Sequence, residues 1–341
     1  MAFEFPPALT LANLPTPIER LRSVPEHPDL PNVYVKRDDL TGAELSGNKV
    51  RKLEYALAEA AARDARAVIT CGGIQSNHAR ATAIAAVRLG MRAVLVLRGT
   101  PPAESDGNVL LDRLAGAELR FISPEEWPRV TTIMEDLARA LAASGEKAYV
   151  VPEGASYPPG VFGYIRAARE IADAQNALGI AFDSIVTAVG SGGTTAGLIY
   201  GTRIFGLTAK VLGINVLDSP SSFAERIAGI SDAFVATYEK RWRGEPWFKP
   251  ILPRDVEIAG GYDGPAYAVP TREGLELIET FARRTGLFLD PAYTGKAMLG
   301  LCGEASKGRW KKSDNVLFMH TGGIFSLFPW RRELVTPTGP G

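Results

Sequence analysis

Cysteine is nearly absent: the 341-residue chain has only Cys71 and Cys302. Two thiols make neither a disulfide framework nor a Cys-rich zinc site, and they fit a reduced, cytoplasmic setting. Histidine is also scarce. His27, His78 and His320 are far apart and lack metal-ligand spacing, so no metal is expected. An excess of either charge is missing too. Lys and Arg total 38, as do Asp and Glu, and the formal net charge is zero. That removes the basic footprint of a nucleic-acid binder and the polybasic patch of a membrane-surface protein. No run reaches the length of a membrane span, and the start, Met1-Ala-Phe-Glu-Phe-Pro-Pro7, lacks the basic and apolar regions of a signal peptide. No fixed-period repeat or low-complexity block occurs. What is there is globular, with 46% hydrophobic and 22% charged residues. The length predicts two domains, and the expected partner is a small molecule or a second copy of the chain.

Short β-branched runs alternate with longer helical ones. Strands are predicted at 32–36, 67–71, 93–97, 118–122, 148–151, 184–189, 210–216 and 315–319. Helices are predicted at 50–63, 77–89, 106–114, 125–144, 161–178, 194–205, 223–241, 271–285 and 294–304. This alternation implies an α/β protein with parallel sheets covered by helices, in which ligands bind at the carboxyl ends of strands. A change of domain is expected near Tyr157-Pro-Pro-Gly160. The segment 244–253, with three prolines, reads as a connecting loop.

Three strands end in small-residue turns: Cys71-Gly-Gly-Ile-Gln-Ser-Asn-His78, Gly190-Ser-Gly-Gly-Thr-Thr-Ala-Gly197 and His320-Thr-Gly-Gly323. Glycine admits a ligand close to the backbone, and a following helix N-terminus offers N–H groups and partial positive charge to a phosphate. The second turn is neither a dinucleotide fingerprint, since Thr195 stands at the third glycine position, nor a Walker A loop. A tight strand–helix connection explains it as well as phosphate binding does. In the first turn, Gln75, Ser76, Asn77 and His78 are four consecutive polar residues, of which an N-cap accounts for about half. The nearest match to a hydrolase elbow, Gly154-Ala-Ser-Tyr-Pro158, ends in proline and argues against that fold. Lys49 and Lys52 lie one helical turn apart at a helix start, where the dipole disfavours cations. They suggest an anionic partner, with a solvated basic face as the competing reading.

Six segments in order resemble one family: Lys36-Arg-Asp-Asp-Leu40, Ser46-Gly-Asn-Lys-Val-Arg-Lys52, Gly72-Gly-Ile-Gln-Ser-Asn-His78, Gly190 to Gly197, Asp290-Pro-Ala-Tyr-Thr-Gly-Lys296 and His320-Thr-Gly-Gly323. Together they resemble the pyridoxal-phosphate enzymes of fold type II, the tryptophan-synthase-β-like group, in its D-cysteine desulfhydrase and 1-aminocyclopropane-1-carboxylate (ACC) deaminase branch. The resemblance implies two open, twisted parallel-sheet α/β domains with pyridoxal 5'-phosphate in the cleft between them. The smaller would cover 48–160, and the larger would combine 1–47 with 161–341. A homodimer is also implied. Lys49 matches the Schiff-base lysine and Lys52 a phosphate-contacting lysine. Gly190, Ser191, Gly192, Gly193 and Thr194 match the phosphate cup, and Asn77 the asparagine beside the pyridine 3-oxygen. Ser76 matches an active-site serine, with Gln75, Asn77 and His78 in the substrate-binding turn. Tyr293 matches a tyrosine stacked on the cofactor, Tyr267 a second active-site tyrosine, and Thr321 a group near the ring nitrogen.

The resemblance to ACC deaminases breaks after the tyrosine. They carry an acid next, where this chain has Thr294, and a hydroxyl does not support a full pyridinium charge. The expected reaction is therefore α,β-elimination of a small β-substituted amino acid, D-cysteine first, giving pyruvate, hydrogen sulfide and ammonia. ACC deamination, cysteate sulfo-lyase chemistry and racemisation are the enzymatic alternatives. A non-catalytic phosphate-binding α/β protein is the alternative outside catalysis.

Overall fold

The computed structural model describes residues 3–334. Four parallel strands form one sheet. They are β3 (Ala67–Gly73), β4 (Arg92–Arg98), β5 (Glu118–Ile122) and β6 (Ala148–Val150), in the order β5-β4-β3-β6. β3 is buried along its whole length, the pattern of a central parallel strand covered on both faces. The second sheet has the order β1-β2-β10-β7-β8-β9. Its strands are β1 (Ile18–Arg20), β2 (Asn32–Lys36), β7 (Ser184–Val189), β8 (Lys210–Asn215), β9 (Glu257–Ala259) and β10 (Asn315–Met319). Only β1 runs antiparallel to its neighbour.

The helices are α1 (Lys49–Ala62), α2 (Asn77–Arg88), α3 (Gly107–Leu114), α4 (Val130–Ala143), α5 (Pro158–Leu178), α6 (Gly193–Phe205), α7 (Pro220–Trp242), α8 (Arg272–Thr285), α9 (Thr294–Ser306) and the short α10 (Arg331–Leu334). Their starts follow local chemistry. Ser76 caps α2 by accepting the Ala79 N–H. Pro158 and Pro159 begin α5, where no N–H is needed. Gly192 precedes α6 with φ +88°, a left-handed conformation that disfavours other residues.

α1 is buried on two faces. Val50, Leu53 and Leu57 join the core beside the small sheet, while Tyr55 joins the core of α5, α6 and α7. Residues 9–14 also lie against the small-sheet core, because Glu54 accepts the backbone N–H groups of Leu11 and Ala12 at 2.9 Å each. The edge strands β1 and β9 are additional to the sequence expectation. At three residues each, they are too short to show a period. The 244–253 connection is held by its aromatics: Trp247 and Phe248 pack with Phe3, Trp242 and Phe234. Among the described residues, no helix is long and apolar enough to cross a membrane. The carboxyl ends of β3, β4, β6, β7 and β10 converge on one cavity, as expected for sheets of this kind.

Candidate active site

The cavity measures about 240 Å³ and is lined by Lys49, Ser76, His78, Gly190, Ser191, Tyr267 and Tyr293, among others. A narrower recess continues from it, sharing Lys49, Gly190, Ser191 and Tyr293. Asn77, Gly192, Thr194 and Thr321 complete its walls. Gly193 and Lys52 do not line the recess; Gly193 lies behind it, donating its N–H to Ser156 Oγ at 3.2 Å. Most residues singled out in the sequence therefore meet in one place, although they come from both sheets.

The two lysines differ in surroundings. Lys49, the first residue of α1, stands with its ammonium 5.7 Å from the centre of the Tyr293 ring. Burial lowers its pKa to about 8, against the weaker opposite pull of Glu153 and Asp290. An amine with its pKa near 8 is about one-tenth unprotonated at pH 7, far more than an ordinary lysine, and that share can act as a nucleophile or base. Lys52 is wholly buried and donates to Gly154 O at 3.2 Å and Ser156 Oγ at 3.3 Å. Burial, then the charge of Lys49, drives its pKa well down. Among the described residues, no carboxylate oxygen lies within 4.0 Å of its ammonium.

Ser156 Oγ also meets Ser191 Oγ at 2.7 Å, so the 153–156 turn and the 190–193 turn form one cup over Lys52. α6 starts at Gly193, beside this cup, and an α-helix leaves its first N–H groups without intrahelical partners; that of Gly193 goes to Ser156 Oγ. Thr195 Oγ1 is buried there without a partner among the described residues. A buried cation with no matching anion, an unpartnered hydroxyl and a helix N-terminus fit a phosphate monoester. A backbone without side chain lets the tyrosine ring approach: a Cβ on Gly190 would come within 2.7 Å of Tyr293.

Tyr293 and Tyr267 join hydroxyls at 2.9 Å, with rings nearly perpendicular at 73°. Burial pushes the Tyr267 hydroxyl up to about 12 and raises that of Tyr293 well above its ordinary value. Both are thus neutral donors at physiological pH and not bases. Lys296 holds the loop carrying Tyr267 by donating to the carbonyls of Ala266 (2.9 Å), Val216 (3.2 Å) and Asp263.

His78 has a definite tautomer. Thr70 gives its hydroxyl proton to Val151 O at 2.8 Å, so at 2.8 Å from His78 Nε2 it must accept. Nδ1 is then a lone-pair acceptor, and no side-chain or backbone group among the described residues satisfies it. Burial and the nearby Lys49 and Lys52 charges keep the ring neutral.

Two expectations are corrected. Gln75 is turned out of the cavity: its amide bonds the Asp106 carbonyl at 3.0 Å and the Asn108 N–H at 2.8 Å, fastening the turn to α3. Thr294 lines neither the cavity nor the recess. Its hydroxyl donates to Asp290 at 2.7 Å and accepts the Asp290 N–H at 2.7 Å, which caps the start of α9. Asp290 is itself saturated, also accepting from Ala292 N, Tyr293 N, Thr294 N and Ser326 Oγ. The Lys36-Arg-Asp-Asp-Leu40 segment lies outside the cavity. Lys36, Asp38, Arg51 and Glu170 form a buried ion quartet, with Arg51 paired to Asp38 at 2.8 Å and to Glu170 at 2.8 Å. Sequence reasoning missed Arg98, Trp127 and Glu153 in the cavity wall and Ser156 in the cup. For Ser156 a signal existed, the Gly154-Ala-Ser156 turn, which was weighed only as a hydrolase elbow.

Fold and cup together define a phosphate-cofactor enzyme, and the chain belongs to the pyridoxal-phosphate dependent enzymes, whose family model matches residues 9–322. Its branch is that of the ACC deaminases and D-cysteine desulfhydrases. It is 43% identical to a putative 1-aminocyclopropane-1-carboxylate deaminase of Thermotoga maritima, over 96% of this chain and 99% of that protein. It is 41% identical to the mitochondrial bifunctional D-cysteine desulfhydrase/1-aminocyclopropane-1-carboxylate deaminase of Arabidopsis thaliana, over 94% of this chain and 79% of that protein. The crystal structure of an ACC deaminase homologue superposes with a TM-score of 0.86 at 37% identity, covering 96% of this chain and 95% of the other.

Proposed function

We propose that the chain catalyses pyridoxal-phosphate-dependent α,β-elimination of D-cysteine to pyruvate, hydrogen sulfide and ammonia. The observation that carries this reading is Lys49, a buried amine with a pKa near 8, beside a cup whose buried Lys52 has no anion of its own. Bound there, pyridoxal phosphate supplies the electron sink for negative charge at the substrate Cα. Lys52, Ser156, Ser191 and the N–H groups at the start of α6 hold its phosphate. Lys49 would hold the cofactor through its amine and would take the Cα proton. The N–H groups at the start of α2 and the Ser76 hydroxyl receive the substrate carboxylate. As the Cβ–S bond breaks, its electron pair leaves with sulfur, and whichever of the paired Tyr267 and Tyr293 hydroxyls accepts from the other keeps its proton to donate to the departing group. The released enamine and water give pyruvate and ammonia. This reading includes a homodimer, which sedimentation tests.

D-cysteine is placed ahead of ACC because, among the described residues, no acid lines the recess that would take the cofactor ring. Thr321 offers a hydroxyl, Thr294 is spent on Asp290, and Asp290 is saturated. A thiolate leaves easily, whereas an unactivated cyclopropane needs stronger electron withdrawal. The names of the relatives support ACC as the second reading. Parallel assays decide: D-cysteine, followed by sulfide and pyruvate, should exceed ACC, followed by 2-oxobutyrate, by roughly tenfold or more in kcat/KM. Faster turnover of ACC would reverse the order.

A further inference from the structure

Asn77 brings an amide to the wall of the recess, and the polarity of that amide decides what it can bind. The oxygen and nitrogen ends of an amide have nearly the same shape, so its partners set its direction. Here the direction is fixed from Arg80, one turn further along α2. Burial lowers the Arg80 guanidinium to about 10, so it stays protonated at neutral pH, and it can only donate. Its Nε donates to Asn108 Oδ1 at 2.9 Å, which commits the oxygen end of the Asn108 amide. The Asn108 Nδ2 then carries two protons to two neighbours. One goes to the Gln75 carbonyl at 3.0 Å, which can only accept. The other goes to Asn77 at 3.0 Å, and only the Asn77 oxygen can receive it. The Asn77 Nδ2 is therefore turned away from Asn108, and among the described residues it has no partner. Arg80, Asn108 and Asn77 are all buried, so water does not compete for these bonds. Reversing any one amide would set donor against donor at a buried contact, which is costly.

We propose that Asn108 is a positioning residue that holds the Asn77 amide nitrogen toward the recess, so that Asn77 offers the cofactor a donor and not an acceptor. The proposal rests on the reading that places the 3-oxygen of the cofactor ring at Asn77. A donor there stabilises the oxygen as an anion, whereas an acceptor in its place favours the neutral hydroxyl. The two states of that oxygen are told apart by colour: the anion absorbs in the visible, the neutral hydroxyl in the near ultraviolet. Arg80 also donates to the Ser46 carbonyl at 2.7 Å and to the Glu44 carbonyl. One buried cation thus bears both on the Asn77 amide and on the segment that leads into Lys49.

The test records absorption spectra and cofactor dissociation constants of the loaded wild type, Asn108→Asp, Asn108→Ala, Asn77→Ala and Gln75→Met. In Asn108→Asp the new carboxylate keeps an ion pair with Arg80 but can only accept, so the Asn77 amide should turn over and present its oxygen to the ring. Absorption should move from the visible to the near-ultraviolet band. The dissociation constant should rise about 10–100-fold, the loss of a hydrogen bond to a charged group. Asn108→Ala frees the amide without inverting it and should give a smaller shift in the same direction. Gln75→Met removes the side chain that fastens the turn to α3 but keeps the Gln75 carbonyl and the Arg80–Asn108–Asn77 chain, so its spectrum should match the wild type. Equal band shifts in Gln75→Met and Asn108→Asp would reduce Asn108 to a fastener and overturn the proposal. If Asn77→Ala shifts the bands and Asn108→Asp does not, the ring placement stands and the proposal fails alone. If Asn77→Ala leaves the bands unchanged, the ring placement fails and takes the proposal with it. Should Asn108→Asp not fold, the comparison of Asn108→Ala with Gln75→Met decides in the same way.

Discussion

Helix α1 carries two kinds of buried cation within four residues. Arg51 is matched: Asp38 and Glu170 grip its guanidinium, Lys36 balances the second carboxylate, and Tyr164 donates to Asp38 at 2.6 Å. Lys49 and Lys52 have no carboxylate within ion-pair distance among the described residues. Both arrangements bury charge, yet they mean different things. A buried charge without partners is costly, and it persists in a structure where something outside the chain completes it. The matched quartet belongs to the fold and the unmatched pair to the ligand.

The contrast breaks first at Lys49. Lys49→Ala should lower turnover by about four orders of magnitude or more, as for a group that acts as part of a unit. It should also abolish the visible Schiff-base band while the far-UV circular dichroism stays native. A surviving band would put the covalent link elsewhere. Lys52 and Arg51 should then respond with opposite signs. Arg51→Met strands two buried carboxylates and should cost about 3–5 kcal/mol of stability in urea unfolding. Lys52→Met removes a buried amine that has no carboxylate partner among the described residues and should stabilise the cofactor-free protein by about 1–3 kcal/mol, while weakening pyridoxal-phosphate binding about 10–100-fold. Equal destabilisation by both would erase the distinction.

Acid and base should separate the two sets as well. Burial alone would raise Asp38 and Glu170, but Arg51 and Lys36 together, with the Tyr164 hydroxyl at Asp38, outweigh it and both are lowered. Their contribution is therefore present above the usual carboxylate range and lost as pH falls through it. Lys49 is lowered from 10.5 to about 8, so above pH 8 the unfolded chain binds more protons than the folded one. Stability of the cofactor-free protein should then rise between pH 8 and 10, and Lys49→Met should reduce that rise, leaving the share of Lys296, which is also lowered to about 8. The smallest effect is expected at Ser76. Ser76→Ala removes the cap of α2 at a cost of about 1 kcal/mol, and its larger consequence should be a raised KM.

Much of this was legible in the sequence. The strand–helix alternation found both sheets, and the glycine turns marked three of the strand ends that meet in the cavity. What escaped depended on distance along the chain. Ser156 reaches the cup from a short 3-10 turn, and Arg98 is an ordinary end of a strand whose neighbours are unremarkable. Glu170, which completes the quartet, sits 119 residues beyond Arg51 on a helix with no special spacing. Gln75 and Thr294 were misplaced for the opposite reason. Their position in a motif was right, but the rotamer was set by Asn108 and Asp290, which no local pattern reveals.

The quartet has one more property. Lys36, Asp38 and Arg51 are wholly shielded and Glu170 nearly so, and mobile ions screen only charges they can approach. The clamp on the base of α1 is thus deaf to ionic strength. Surface pairs such as Arg272 with Glu276 fade in concentrated salt, but the register of the lysine-bearing turn stays the same in dilute buffer and in brine.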